Sequence, residues 1–221
     1  MRRWLVLQVA GLALAAVAIW LFAGSALDFR LSALAYSPEA RAFPLRDAWL
    51  AEAIGHKGLK HLSLALWLGL LGIASASRAW RGELLRSVLG VALAASAVSV
   101  LRGWSAHSCP WDLATFGGSA EWFPVFGEVP ANPGPGRCLP SGHASTGFGL
   151  FALYFALREA HPRHALASLA LAWALGLLAT AVQVARGAHF LSHGLWTAWV
   201  CWAVCLALSV AWSWRKILRD S

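Results

Sequence analysis

The chain has 221 residues, 59% of them hydrophobic and only 13% charged, with a net charge of +8. A soluble domain carries about 25% charged residues, so an ordinary soluble globule is excluded. Nucleic acid is an equally poor partner, because the arginines stand singly between apolar runs and form no basic stripe interleaved with aromatics.

Apolar runs near 4–24, 61–77, 87–101, 144–158, 165–185 and 194–214 predict an all-α, polytopic membrane bundle of about six transmembrane helices, a single domain over 1–221. The first, fifth and sixth reach the roughly 20 residues that cross a bilayer. The middle three cross only if their helices continue into flanks that face protein or a cavity. With the N-terminus in the cytoplasm, the short connections on that side hold ten Lys and Arg against three acidic residues. The other side holds eight against seven, so both termini are expected to be cytoplasmic. Arg2-Arg3 ahead of the first run and Ala23-Gly24-Ser25-Ala26 behind it would also suit a signal peptide. The apolar core is longer than the roughly 7–15 residues of such signals, which favours an uncleaved anchor.

Two long connections, 25–60 and 102–143, fall on the outer side, where long loops in compact proteins tend to carry function. Over 43–56, Phe43, Leu45, Trp49, Leu50, Ala53 and Ile54 recur at helical spacing with Arg46, Asp47 and Glu52 between them. This pattern predicts an amphipathic helix at the membrane interface, either packed on the bundle or reading lipid. The second loop opens at Arg102 and holds Trp104, His107, Cys109-Pro110-Trp111-Asp112 and Trp122-Phe123. It returns through a Pro- and Gly-rich stretch that excludes regular structure, ending at Arg137-Cys138 and Pro140-Ser141-Gly142-His143. In an oxidising compartment Cys109 and Cys138 can join as a disulfide fastening the Arg102 end of the loop to the Pro140 end. Zinc held by His107, Cys109 and Cys138 is the weaker alternative, since the spacing matches no familiar zinc pattern. Ser141 is placed to cap the next helix, leaving Gly142 and His143 in its first turn, where N–H groups favour a phosphate.

The third informative segment is Gln183-Val184-Ala185-Arg186-Gly187-Ala188-His189-Phe190-Leu191-Ser192-His193. Gln183, Arg186 and His193 follow helical steps around His189, Gly187 lets the backbone bend, and Ser192 is a natural cap for the last helix. Cys201 and Cys205, one turn apart inside the last run, read as buried thiols. Ionisable clusters at a membrane boundary are functional candidates by default.

Pro140-Ser141-Gly142-His143 matches the central signature of the type-2 phosphatidic acid phosphatase superfamily, and Gly187-Ala188-His189-Phe190-Leu191-Ser192 resembles its third signature. The resemblance implies that His189 is the nucleophile and His143 the general acid. It puts Ser141 and Gly142 at phosphate-binding positions and Arg102 in place of the lysine of the first signature. Three positions depart from the pattern. Cys109-Pro110 stands where the family has Arg-Pro, Gln183 where it has arginine, and His193 where it has the aspartate that orients the nucleophile. Arg186, one turn beyond Gln183, is placed to supply the missing guanidinium. The neutral His193 imidazole can accept the hydrogen bond that carboxylate would take, while stabilising a charged partner less.

The expected activity is hydrolysis of a lipid phosphomonoester or diphosphate through a phosphohistidine, with no cofactor and no metal. Candidate substrates are phosphatidic acid, phosphatidylglycerophosphate, undecaprenyl diphosphate and lipid A. A lipid phosphotransferase using a polyprenyl diphosphate donor, and a decayed lipid-binding or transport protein, are the competing readings. Few lysines with abundant Ala, Leu, Trp and Arg suit a GC-rich bacterium, which places the site on the periplasmic face of the inner membrane. The oligomeric state is not legible in one chain.

Overall fold

The computed structural model of the chain describes residues 2–49, 51, 53 and 58–220. Its helices are α1 (Arg2–Phe22), α2 (Ala26–Ala33), α3 (Leu59–Ala76), α4 (Arg81–Trp104), α5 (Ser145–Phe148), α6 (Phe151–Leu157), α7 (Pro162–Ala185) and α8 (Leu191–Asp220). Among the described residues only isolated bridges, Ser37 with Ala42 and Leu113 with Ala120, represent β structure. The chain is a polytopic helical bundle.

Each of the six apolar runs is helical. Four helical stretches, Arg2–Phe22, Arg81–Trp104, Pro162–Ala185 and Leu191–Ser213, are long and apolar enough to cross a membrane. The third run exceeds its expected length because α4 begins at Arg81, where Glu83 pairs with Arg86 at 3.1 Å and lets the helix run on past its apolar core. His61–Ala76 and Ser145–Leu157 are shorter apolar stretches. The latter is broken at Gly149-Leu150, where the Leu150 N–H turns to the Gly147 carbonyl and tightens the helix by one residue.

The core lies between α4, α5–α6, α7 and α8, around the fully buried Phe148 and Phe151, with Ala94, Val98, Ala172 and Cys201 against them. Small residues let these helices approach. A Cβ on Gly147 would collide with the backbone of Gly176, so α5 and α7 touch main chain to main chain. Helix α3 is tied to α4 by the Trp67 indole N–H donating to the Val88 carbonyl, 3.1 Å. Helix α1 is peripheral, with no buried residue, and hangs on α8 through the Trp199 indole N–H to the Leu12 carbonyl at 2.8 Å.

At the end of the bundle where α4 and α7 stop, the connections form a second apolar cluster. Phe43 from the first long loop, Leu113 and Phe116 from the second, and Phe190 from the third pack together, flanked by Phe29, Tyr36 and Trp111. This cluster overrides the first part of the helix expected over 43–56, whereas the described Trp49, Ala51 and Ala53 are helical. Residues 43–48 are turns and bends, because Phe43 is 3% exposed against Gly187 and Phe116 and its neighbours must curve around it. Positions 50, 52 and 54–57 of that segment lie outside the described residues.

Candidate active site

The second and third motifs meet on the loop end of the bundle. The Ser141 N–H donates to the His193 carbonyl at 3.1 Å, and the Thr197 hydroxyl bridges the Ser141 and His193 carbonyls at 2.9 Å each. These bonds splice the loop ending at Ser141 onto the first turn of α8. The second loop is clasped by a disulfide between Cys109 and Cys138, whose Cα atoms are 5.2 Å apart. Both thiols are thereby removed from the zinc alternative. His107 is held instead by stacking on Phe123, with ring centroids 4.2 Å apart.

The two histidine rings from these segments face each other. The centroids of His143 and His189 are 6.2 Å apart, and His189 Nδ1 lies 3.4 Å from His193 Nδ1. One of those two nitrogens carries the proton and the other accepts it; where His189 Nδ1 carries it, His189 Nε2 keeps its lone pair. Burial holds the His189 imidazole well below its ordinary value of 6.5, and His193, His143 and Arg102 push it further in the same direction. A buried, neutral imidazole keeps a lone pair available on one ring nitrogen.

Arg102 flanks this pair. Its Nε donates to the Arg137 carbonyl at 2.7 Å, and a Cβ on Gly142 would stand 3.3 Å from Arg102 Nη1, so the guanidinium lies directly beside Gly142. A cavity of about 520 Å³ opens there, lined by Ser99, Val100, Arg102, Gly103, Trp104 and Arg137. Ser141 does not cap a helix. Helix α5 starts at Ser145, residues 142–144 form a turn, and the Ser145 and Thr146 hydroxyls donate to the Gly142 and His143 carbonyls at 2.7 Å each. The Ser141 Oγ is buried with no hydrogen-bond partner among the described residues, which an anion oxygen would supply.

Gln183 is fully buried, and its carbonyl accepts the Ala188 and His189 N–H groups at 2.9 and 3.3 Å. Arg186 sits beside it. Its Nη1 donates to Gln183 Oε1 at 3.4 Å, while Nε and Nη2 hold the Arg46 carbonyl at 3.1 and 2.9 Å. Those bonds anchor the first long loop on the third motif, a fastening that sequence spacing did not reveal. Between them, Gly187 adopts φ +71°, and a Cβ there would clash with the Phe43 ring. Gly187→Ala therefore meets both left-handed strain and a filled site, and should lower stability by about 2 kcal/mol or more, read as a drop in thermal unfolding temperature in detergent.

Asp28, in the first turn of α2, was not among the expected site residues. It is fully buried, and its carboxylate accepts the Ser192 N–H at 3.2 Å and the Gly24 N–H at 3.4 Å. Ser192 was expected to cap the last helix, yet α8 already begins at Leu191 and Asp28 supplies the cap from outside. Burial raises the Asp28 carboxyl, and its bonds to the Ser192 side chain and backbone and to the Gly24 N–H pull the other way. The only signal in the chain is a lone acidic residue following an N-capping Ser25.

The PAP2 superfamily model matches residues 83–217, from the first turn of α4 into α8, and so takes in both histidine segments and Arg102. No curated protein and no solved structure matches the chain. The match covers more than half of the chain, and with the helical bundle it assigns a phosphatase-type membrane fold: this chain belongs to the PAP2 superfamily.

Proposed function

We propose that the protein hydrolyses a phosphomonoester or diphosphate of a membrane lipid through a phosphohistidine on His189. The observation that carries this reading is the facing of two imidazoles across 6.2 Å, ring centre to ring centre, with Arg102 alongside. That gap suits one phosphoryl group approached from both sides, with reacting atoms about 3–3.5 Å apart.

His189 Nε2 gives its lone pair to phosphorus as the bond to the leaving oxygen breaks, and His143 delivers a proton to that oxygen. The Nδ1 proton of His189 is held by His193. Arg102, the Ser141 hydroxyl and the N–H groups of the 142–144 turn take the non-bridging oxygens, where charge develops. Water then surrenders a proton to His143 and attacks phosphorus. The P–N bond breaks, inorganic phosphate leaves, and His189 recovers its lone pair.

The lipid character of the substrate rests on the cavity beside Arg102, because Ser99, Val100 and Trp104 lie at the end of a membrane-length helix. Trp104 is 85% exposed there, as suits an interfacial anchor at a headgroup passage. The arginine asymmetry and the disulfide support the inner membrane with both termini in the cytoplasm and the site in the periplasm.

Purified protein offered phosphatidic acid, phosphatidylglycerophosphate, undecaprenyl diphosphate and lipid A tests the reading. Release of inorganic phosphate from at least one supports it. Transfer to a lipid acceptor would instead mark a phosphotransferase, and binding without turnover a decayed site. The lowered His189 also sets a pH signature. The nucleophile stays unprotonated on acidification, so the acid limb of kcat/KM should fall below the ordinary histidine value of 6.5. Arg102→Gln removes a cation that depresses His189 and should move that limb upward. A limb at or above 6.5 in the wild type defeats the assignment.

A further inference from the structure

At the opposite end of the bundle, α1 leaves a cavity of about 160 Å³ against α8, into which Arg2, Arg158, Ser209 and Ser213 project beside Trp4 and Leu5. The Arg158 guanidinium, at the end of α6, lies over the Trp4 indole at 3.7 Å and donates through Nη2 to Glu159 Oε1 at 2.8 Å. The Arg158 side chain is only 17% exposed whereas Glu159 is 75% exposed, so the pair is satisfied from the solvent side alone. Inward, Arg158 Nε is buried with no hydrogen-bond partner among the described residues. A buried guanidinium N–H lacking an acceptor is an arrangement that an incoming anion relieves.

The same seam continues away from the arginines as an apolar groove of about 310 Å³, between Leu7, Leu12 and Ala15 on α1 and Leu195, Ala198 and Trp199 on α8. Gly11 lines it, and an added Cβ there would meet nothing within 4 Å. The α1–α8 contact is held by indole bonds, Trp199 to the Leu12 carbonyl and Trp202 to Gln8 Oε1 at 3.0 Å, with little apolar burial. A basic, hydroxyl-lined cavity opening at a membrane-helix end, in line with an apolar groove, matches one kind of molecule.

We infer that the α1–α8 seam binds an anionic phospholipid, its phosphate between Arg2 and Arg158 and an acyl chain along the groove. In the proposed orientation this lipid belongs to the cytoplasmic leaflet, across the membrane from the histidines, and its binding requires no phosphatase activity. A zwitterionic headgroup would bring its ammonium against two guanidiniums, and free phosphate would leave the groove unused.

The test is native mass spectrometry of delipidated protein offered equimolar phosphatidylglycerol and phosphatidylcholine. The wild type should retain phosphatidylglycerol by about tenfold or more, since each arginine near an anionic lipid favours it by about fivefold. Arg2→Gln with Arg158→Gln should bring the two lipids to parity. Gly11→Leu leaves both arginines and the open backbone untouched but fills the groove, and should lose phosphatidylglycerol with its unfolding temperature in lipid-free detergent unchanged. Equal retention of both lipids by the wild type, selectivity surviving the double substitution, or displacement of the lipid by equimolar inorganic phosphate would each overturn the inference. His189→Ala should keep the wild-type selectivity, so a failed phosphatase reading and a failed lipid site give different results.

Discussion

His189→Ala should reduce phosphate release by at least about a thousandfold while the protein remains folded. The imidazole is removed, but the His189 N–H still reaches the Gln183 carbonyl and the Phe190 ring still seats in the loop cluster, so little of the architecture depends on it. His143→Ala should behave differently with the leaving group. A poor alkoxide must be protonated as it departs, whereas p-nitrophenolate leaves without help, so the loss should shrink for p-nitrophenyl phosphate. The second half-reaction still needs His143 to activate water. The His143→Ala enzyme should therefore accumulate an acid-labile phosphoenzyme on that substrate, which the His189→Ala enzyme never forms. The double variant should be no worse than His189→Ala alone, because groups acting on one phosphoryl are not additive. Turnover by His189→Ala, or phosphoenzyme in it, would dismiss the nucleophile.

His193 is the position where this chain departs most from the resembling motif, and the proposed mechanism gives it the orienting role. Its Nδ1 stands 3.4 Å from that of His189, so the hydrogen bond is kept while the negative charge is given up. His193→Asp should restore a carboxylate beside the nucleophile. That change removes a neighbour that depresses His189 and adds one that favours its protonated form, so the acid limb should move toward higher pH.

The helices and the meeting of the two histidine segments were legible because they are written in local pattern: apolar runs of membrane length, and small residues beside histidine at helix ends. What stayed hidden depends on partners far away in sequence. Phe43 reads as one face of a helix until the ring is seen filling the space over Gly187. Arg186 reads as a spare phosphate ligand, whereas its Nε and Nη2 clamp the Arg46 carbonyl. Ser141 reads as a cap, yet the chain continues as a turn to Ser145 because the Ser141 N–H and carbonyl are already committed to His193 and Thr197. In each case a favourable local choice yields to a tertiary contact, which one chain's periodicity does not encode.

Asp28 is the clearest such case, and its replacement should be the most damaging change outside the histidines. Asp28→Ala leaves the buried Ser192 N–H without an acceptor, at about 1–3 kcal/mol, frees the part-buried Gly24 N–H, and removes an anion from the start of α8. Ser192 adjoins His193 and lies three residues from His189, so the same loss should loosen the nucleophile. A displacement of about 1 Å there costs on the order of a hundredfold in turnover. We expect the unfolding temperature to fall and kcat to fall far more than KM changes, because the proposed phosphate contacts at Arg102 and Ser141 sit on other elements. Asp28→Asn keeps the shape and one acceptor oxygen and should recover most of the stability and part of kcat. Ser32→Ala, on the same short helix, removes a buried hydroxyl with no partner among the described residues and should be close to neutral in both measurements. If Asp28→Ala lowers the unfolding temperature but leaves kcat intact, the carboxylate merely fastens the first loop. A selective loss of kcat, rescued in part by Asn, makes it the residue that positions His189 from the far end of the chain.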